Sequence, residues 1–258
     1  MLRLVFATSL LIAVAAPAAS AQQTNLTPAA TTPGDGRLYP ETKFRWYARD
    51  GADDVFELDQ RLSYGFGGKA SAFLEVPYDF DAGVGDARLG FKYRFMQLDI
   101  GSVDTLRIAA FGGLELPTGT SEISSDSVDP YLGAVVTSIR GRFGWNAAAT
   151  LYSTGDDAPT ARGPLDVEGE LVQLDGSIAW RIDPVEYGAD FVAATYVVLD
   201  TNAYLGGSDN TEIWLAPGLL YEAPDFALEF SVLLPASQDV AGRPERDYGV
   251  MVGLRLLF

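Results

Sequence analysis

The side chains in this chain most able to do chemistry are carboxylates and guanidinium groups set at every second position. Glu57, Asp59 and Arg61 form one such row, Arg88, Lys92 and Arg94 another, and Arg107 and Glu115 a third. Groups of this kind can move protons, hold a hard cation, or pair with one another across strands. The chain contains no Cys and no His. A Ser-His or Asp-His hydrolase therefore lacks its imidazole base, and thiolate nucleophiles and His/Cys metal sites are excluded. A carboxylate-pair mechanism is chemically open. The acidic residues spread along the chain without forming one recognisable pair, however. The expectation is a protein that is not an enzyme, with no catalytic residue, cofactor or metal site.

The elements that carry these charges have period two, because side chains of a strand point alternately to its two faces. Ala87, Leu89, Phe91, Tyr93 and Phe95 alternate with Asp86, Arg88, Gly90, Lys92 and Arg94. Phe56, Leu58, Leu62, Tyr64 and Phe66 oppose Glu57, Asp59, Arg61 and Ser63. Leu106, Ile108, Ala110, Leu114 and Leu116 oppose Arg107, Phe111, Gly113 and Glu115. The last stretch, Tyr248 to Phe258, has an unbroken apolar face ending in an aromatic residue. Helical periodicity fits none of these segments. In a soluble sandwich the charged face would be buried at a severe desolvation cost. The inverted arrangement, apolar side chains toward lipid and charges toward a lumen, is that of a membrane barrel.

Twelve strands are expected, beginning near residues 43, 54, 69, 85, 104, 128, 142, 170, 187, 211, 225 and 247. Connections alternate between tight ones, such as Gly67-Gly68, RGR, Asp183-Pro184 and Ala223-Pro224-Asp225, and longer ones, such as TGTSEISSDS, TNAYLGGSDN and ASQDVAGRPERD. Outer-membrane barrels have short periplasmic turns and longer external loops. The fold expected is an all-β, antiparallel, up-and-down transmembrane β-barrel over 43–258, with both termini periplasmic. Residues 1–21 have the pattern of a cleaved export signal: Arg3, an apolar run from Leu4 to Ala16, and Ala19-Ser20-Ala21. Its removal takes away only Arg3, leaving 17 basic against 35 acidic residues, a formal charge of −18. Such a balance excludes nucleic acid as a partner. Residues 22–42 are rich in Thr, Ala, Pro and Gly and are expected to form a flexible periplasmic leader; a plug inside the barrel is the alternative.

The lumen side is predicted to be lined by Arg45, Glu57, Asp59, Arg61, Glu75, Arg88, Lys92, Arg94, Arg107, Glu115, Arg142, Asp175, Arg181, Glu229 and Arg255. Basic residues gather toward the short turns and acidic ones toward the long loops, giving an acidic entrance and a basic inner half. Small inward residues such as Gly65, Gly90, Gly113, Gly133 and Gly218 suggest a narrow pore. Pro217 and Gly218 interrupt a strand and mark a bulge or a break in the wall, since Pro removes a ladder donor. The sharper reading of that break is a lateral opening for an apolar solute.

GVGDARLGFKYRF, Gly83 to Phe95, followed by ELPTG at Glu115 to Gly119, resembles the outer-membrane channel family known as MetA-pathway of phenol degradation. The resemblance implies passive uptake of small molecules, hydrophobic or aromatic ones among them. Two other readings stand beside it: a structural or adhesion barrel with an occluded lumen, and a narrow acid-sugar porin, which the acidic entrance disfavours. The expected partners are outer-membrane lipid and lipopolysaccharide, a small-molecule solute, and the barrel-assembly machinery through Phe258.

Overall fold

Strand after strand in this chain needs hydrogen-bond partners on both edges, and in lipid only a closed barrel supplies them. The structure, a computed structural model, describes residues 23–100, 104–120, 123–154, 169–186, 192–206, 210–240 and 244–256. Among them it forms thirteen strands and no helix: β1 (Leu38–Arg49), β2 (Val55–Phe66), β3 (Ala70–Asp79), β4 (Gly83–Val84), β5 (Ala87–Asp99), β6 (Thr105–Leu116), β7 (Asp129–Arg140), β8 (Phe143–Thr154), β9 (Gly169–Asp183), β10 (Ala194–Gly206), β11 (Asn210–Glu222), β12 (Phe226–Asp239) and β13 (Arg246–Leu256). Strand β4 is a two-residue bridge on β3. The other twelve are each antiparallel to their neighbours, and β2–β3 and β1–β13 pairing closes the ring.

The outer face is apolar. Phe91, Leu132, Leu151, Trp180, Leu219 and Val252 are among its exposed residues, while Lys92, Asn146, Thr150, Arg181 and Arg255 on the opposite faces are buried. This is the polarity expected of a wall standing in lipid. Exposed aromatic residues collect toward both rims. Tyr64 and Phe66 pack edge to face at 4.8 Å near the short turns, and Trp46 and Tyr248 do so at 5.4 Å near the long loops. Rings of this kind settle at the two interfaces.

Most strand starts lie within two residues of those expected, with two exceptions. The strand placed near residue 187 starts at Ala194, so Asp183-Pro184 opens a longer connection and is not a tight turn. Strands β10 and β11 run on to Gly206 and from Asn210, so most of the supposed loop TNAYLGGSDN is a projecting hairpin. The terminal Phe258 lies outside the described residues.

The leader is the larger correction. Strand β1 begins at Leu38, and residues 24–31 are almost wholly buried within the barrel: Thr24, Asn25, Thr27, Ala29 and Ala30 are each 1% exposed or less. The segment entering from the short-turn end pairs with β2, Gly36 N–H donating to Gly65 O and Gly65 N–H to Arg37 O, both at 3.0 Å. Low hydrophobicity reads as flexibility only where water is the alternative partner. Here a polar lumen offers acceptors and donors that a Thr/Asn-rich strip can satisfy.

Candidate functional site

Cross-strand register decides which inward charges meet. Arg45 stands opposite Glu57, Arg61 opposite Glu75, and Arg88 opposite Glu115. Each becomes an ion pair: Arg45 to Glu57 at 3.7 Å and, more closely, to Asp59; Arg61 to Glu75 at 3.6 Å; Arg88 to Glu115 at 2.7 Å. Arg246 joins Glu57 at 2.9 Å, Lys43 joins Glu41 at 2.6 Å, and Arg255 pairs with Glu229. A continuous ionic ladder thus covers the arc from β13 through β1, β2, β3 and β5 to β6. The charges of one strand supply the counter-charges of the next, which makes burial tolerable.

The opposite arc, β7 to β10, is lined mainly by neutral polar groups, with the carboxylates of Asp175 and Asp200 buried among them. Thr137 donates to Asn146 at 2.6 Å, Asn146 to Ser177 at 3.0 Å, and Tyr152 to Gln173 at 2.9 Å. Gln173 and Asn202 in turn donate to Asp175. The lumen is therefore two-sided, ionic on one wall and amide-hydroxyl on the other.

Between the walls lies a cavity of about 170 Å³, with Leu26 and Pro28 of the leader among its lining residues. Eight of the predicted residues line it: Arg45, Glu57, Asp59, Arg61, Glu75, Arg88, Lys92 and Asp175. Glu115 meets it only through Arg88. Arg94, Arg107, Arg181, Glu229 and Arg255 lie outside its lining. Arg94 donates to Gly68 O at 2.6 Å at the short-turn rim, and the Nε of Arg107 is buried without a hydrogen-bond partner. Arg142 is a correction. It sits in the β7–β8 turn, donating to Arg181 O at 2.8 Å with its guanidinium 5.1 Å from the outward ring of Trp180. Nor is the inner half simply basic, since Glu41, Asp200, Glu222 and Glu229 are buried there too.

Aromatic rings complete the cavity, and sequence alternation did not reveal them as a group. Tyr131 and Tyr152 lie 5.6 Å apart, with Arg88 over both at 5.3 and 5.2 Å. Arg61 stacks on Phe73 at 3.9 Å and Arg246 on Tyr47 at 4.0 Å. The inward Gly90, Gly113 and Gly133 make room for rings, and Gly65 and Gly218 for the leader. A Cβ on Gly90 would lie 2.3 Å from Phe73 and from the Tyr131 hydroxyl, and one on Gly133 2.4 Å from Phe111.

The leader crosses the lumen in the half nearer the short turns. Asp200 accepts from Thr24 Oγ1 at 2.7 Å and Thr27 Oγ1 at 2.8 Å. Ala30 N–H donates to Thr137 at 2.8 Å, and Thr32 donates to Gly68 O at 2.9 Å. Lys92 donates to the carbonyls of Ala29 and Thr31 at 2.9 and 3.2 Å, and Arg255 to that of Gln23 at 2.9 Å. Lys92 reaches backbone oxygens of the leader directly, and Arg255 does so while also paired with Glu229. Lys92 thus lines the cavity and at the same time holds the leader, a second role that charge patterning alone does not show.

At Pro217 the wall is intact on one side only. Pairing to β10 is continuous through Leu199↔Pro217 and Val198↔Gly218. Toward β12 it passes from Leu215↔Leu234 to Gly218↔Ser231, skipping Ala216 and Pro217 without a change of register there.

At the long-loop end, Asp86 is the organiser of the segment after β6. It accepts from Gly119 N–H at 2.9 Å, Ser124 Oγ at 2.8 Å and Ser125 N–H at 2.8 Å, while Ala87 N–H donates to Thr118 Oγ1 at 2.9 Å. The two sequence motifs that carried the family resemblance therefore meet in space as a clasp.

No family model matches the sequence, and no curated protein matches it either. Solved structures do resemble the fold. A structure of the NanC porin superposes with a TM-score of 0.54 at 11% identity, covering 86% of this chain and 100% of that one. The COG4313 outer membrane channel from Pseudomonas putida F1 gives 0.57 at 11% identity, covering 89% and 98%. At that identity the likeness concerns architecture alone, and the architecture is that of an outer-membrane β-barrel.

Proposed function

We propose that this protein is a bacterial outer-membrane channel for the passive uptake of small molecules, narrowed on its short-turn side by its own leader. The observation that carries this reading is the cavity of about 170 Å³ between an ionic and an amide-hydroxyl wall. A two-sided polar lumen is costly to keep unless solute or water uses it. The rings of Tyr47, Phe73, Tyr131, Tyr152 and Trp214 around the cavity favour small aromatic or otherwise hydrophobic solutes, which is also what the family resemblance implies. In this reading the segment before Gln22 is removed on export. Both ends then lie in the periplasm, and Phe258 addresses the barrel-assembly machinery. The outer acidic loops face lipopolysaccharide.

One observation favours a second reading, a structural barrel with an occluded lumen: the leader fills the inner half. Single-channel recording in planar bilayers separates the two, with the intact protein compared with a variant lacking residues 23–34. Conductance that rises on removal of the leader supports the channel. No conductance in either form overturns it. Reversal potentials after Arg94→Glu and Arg107→Glu then test whether the short-turn rim sets ion preference, as a narrow acid-sugar porin would require.

A further inference from the structure

The apolar part of the cavity and the skipped pairing at Pro217 fall at one place on the wall. Trp214, Ala216, Leu233 and Met251 pack with Tyr47 and Val55 in a buried cluster, and Leu26 of the leader packs against it. Ala216 belongs to the interval in which β11 lacks pairing to β12. Elsewhere the cavity wall carries ion pairs, amides and single rings set among them, such as Phe73 under Arg61. This notch is the most apolar stretch of the wall, with Arg246 confined to one side of the Tyr47 ring, so an apolar group is buried there at the least cost in desolvated charge.

The residue before Leu26 bridges the same two strands. Asn25 is fully buried, and its Nδ2 donates to Phe230 O at 2.9 Å and Ser231 Oγ at 2.6 Å on β12, with Leu219 O on β11 at 3.4 Å. Gly218 leaves the space for it: a Cβ there would lie 2.9 Å from Asn25 Nδ2 and 2.2 Å from Phe230 O. The leader thus fills the notch with a leucine and, one residue away, spans the strands beside the break with an amide.

We propose that the notch lined by Tyr47, Trp214 and Leu233, with Ala216 and Met251 packed behind them, is a binding site for a small apolar or aromatic solute, and that Leu26 is its built-in competitor. Solute that takes the notch displaces Leu26 and, with it, the Asn25 bridge between β11 and β12. The inference rests on the channel reading for the solute's arrival, but the site and its competition with Leu26 are properties of the barrel itself. The notch borders the lumen cavity of about 170 Å³, through which one ring can reach the place that Leu26 occupies; a space of about 150 Å³ is enough for benzene. Because solute and leader exclude one another, each must weaken the other by the same factor.

The chain has no Cys, so Asn25→Cys with Ser231→Cys makes a clean pair whose oxidative cross-linking reports docking of the leader. The probe is toluene, added to the full-length exported protein in lipid nanodiscs. Asn146→Cys with Ser177→Cys, on strands away from the notch, serves as the control, and heat-modifiable gel mobility verifies folding of every variant. At ten times its half-effect concentration, toluene is expected to slow the first cross-link about tenfold, as the docked fraction falls, and to leave the control unchanged. With Leu26→Ala added, the half-effect concentration should drop. A cross-link indifferent to toluene, or a half-effect concentration indifferent to Leu26, overturns the proposal. Conductance without a toluene effect keeps the channel and removes the notch. A toluene effect without conductance keeps the notch and removes the channel.

Discussion

Thr27 gives Asp200 two hydrogen bonds from one residue, its hydroxyl at 2.8 Å and its backbone N–H at 3.1 Å, both to Oδ1. Thr24 adds a third at 2.7 Å to the same oxygen. Asp200 is fully buried in the middle of β10, so a single carboxylate gathers the leader's centre. Each such bond contributes about 1 kcal/mol net, and about 1.4 kcal/mol is a tenfold change in a docking equilibrium. Asp200→Ala should therefore release residues 24–27 by about two orders of magnitude in that equilibrium. Maleimide labelling of an Ala30→Cys reporter measures it, the expected result being faster labelling in the Asp200→Ala background at unchanged heat-modifiability. Equal labelling in both backgrounds would show that Asp200 does not hold the leader.

Asp86 and Gly119 predict a second, separate effect at the outer end. A Cβ on residue 119 would come within 2.9 Å of Asp86 Oδ1, Gly85 C and Val84 O, so Gly119→Ala must push the clasp apart. Asp86→Ala removes the acceptor shared by Gly119, Ser124 and Ser125. Both variants should leave the barrel folded but expose the segment after β6 to protease, with cleavage falling between residues 117 and 128. The intact protein should resist under the same conditions. Cleavage at equal rates would reduce the clasp to a passive contact.

The barrel was legible because alternation needs only the residue's own type: the faces of Phe91, Lys92 and Tyr93 can be assigned one by one. The site was legible only in part, because it depends on register. Nothing in the sequence pairs Arg88 with Glu115 or brings Asp86 to Gly119 until β5 and β6 are set side by side. The bulge between Arg94 and Met96 then changes the parity of β5, so that Gln97 and Asp99 stand opposite the inward Arg107 and Thr105. The leader was misread for a different reason. Its Thr and Asn residues look like solvent-facing ones, and their partners, Asp200 and Ser231, lie 173 and 206 positions along the chain. The space at the inward glycines was not legible as filled because what fills it, Phe73 and Tyr131 at Gly90, Phe111 at Gly133 and the leader at Gly65, comes from other parts of the chain.

Arg88 and Glu115 make an enclosed pair of the ladder, with side chains 8% and 7% exposed and Arg88 between two tyrosine rings. Removing one partner of a buried pair leaves an uncompensated charge, at about 3–5 kcal/mol. Arg88→Met and Glu115→Met should each destabilise the barrel by that order in urea-driven unfolding from lipid vesicles. The double variant Arg88→Met with Glu115→Met should recover most of the loss, since two apolar side chains leave no orphan charge. Additive losses in the double variant would show that the pair is not coupled.

Gly90 and Gly133 test whether the inward glycines are sockets or pore. A methyl group on Gly90 meets Phe73 Cζ and Tyr131 Oη at 2.3 Å, and one on Gly133 meets Phe111 at 2.4 Å and the carbonyl of Ala149 at 2.7 Å. Gly218 differs, since its neighbours include Asn25 of the leader as well as wall atoms. Overpacking of a filled interior costs about 1–3 kcal/mol, whereas a methyl group facing an open aqueous pore costs little and only narrows it. Gly90→Ala and Gly133→Ala should therefore lower unfolding stability by that amount. Their conductance should stay the same or rise, because the displaced rings border the cavity and do not shield a channel behind them. Unchanged stability with reduced conductance in both variants would mean that the glycines face the passage itself, and that the rings move aside from it in the membrane.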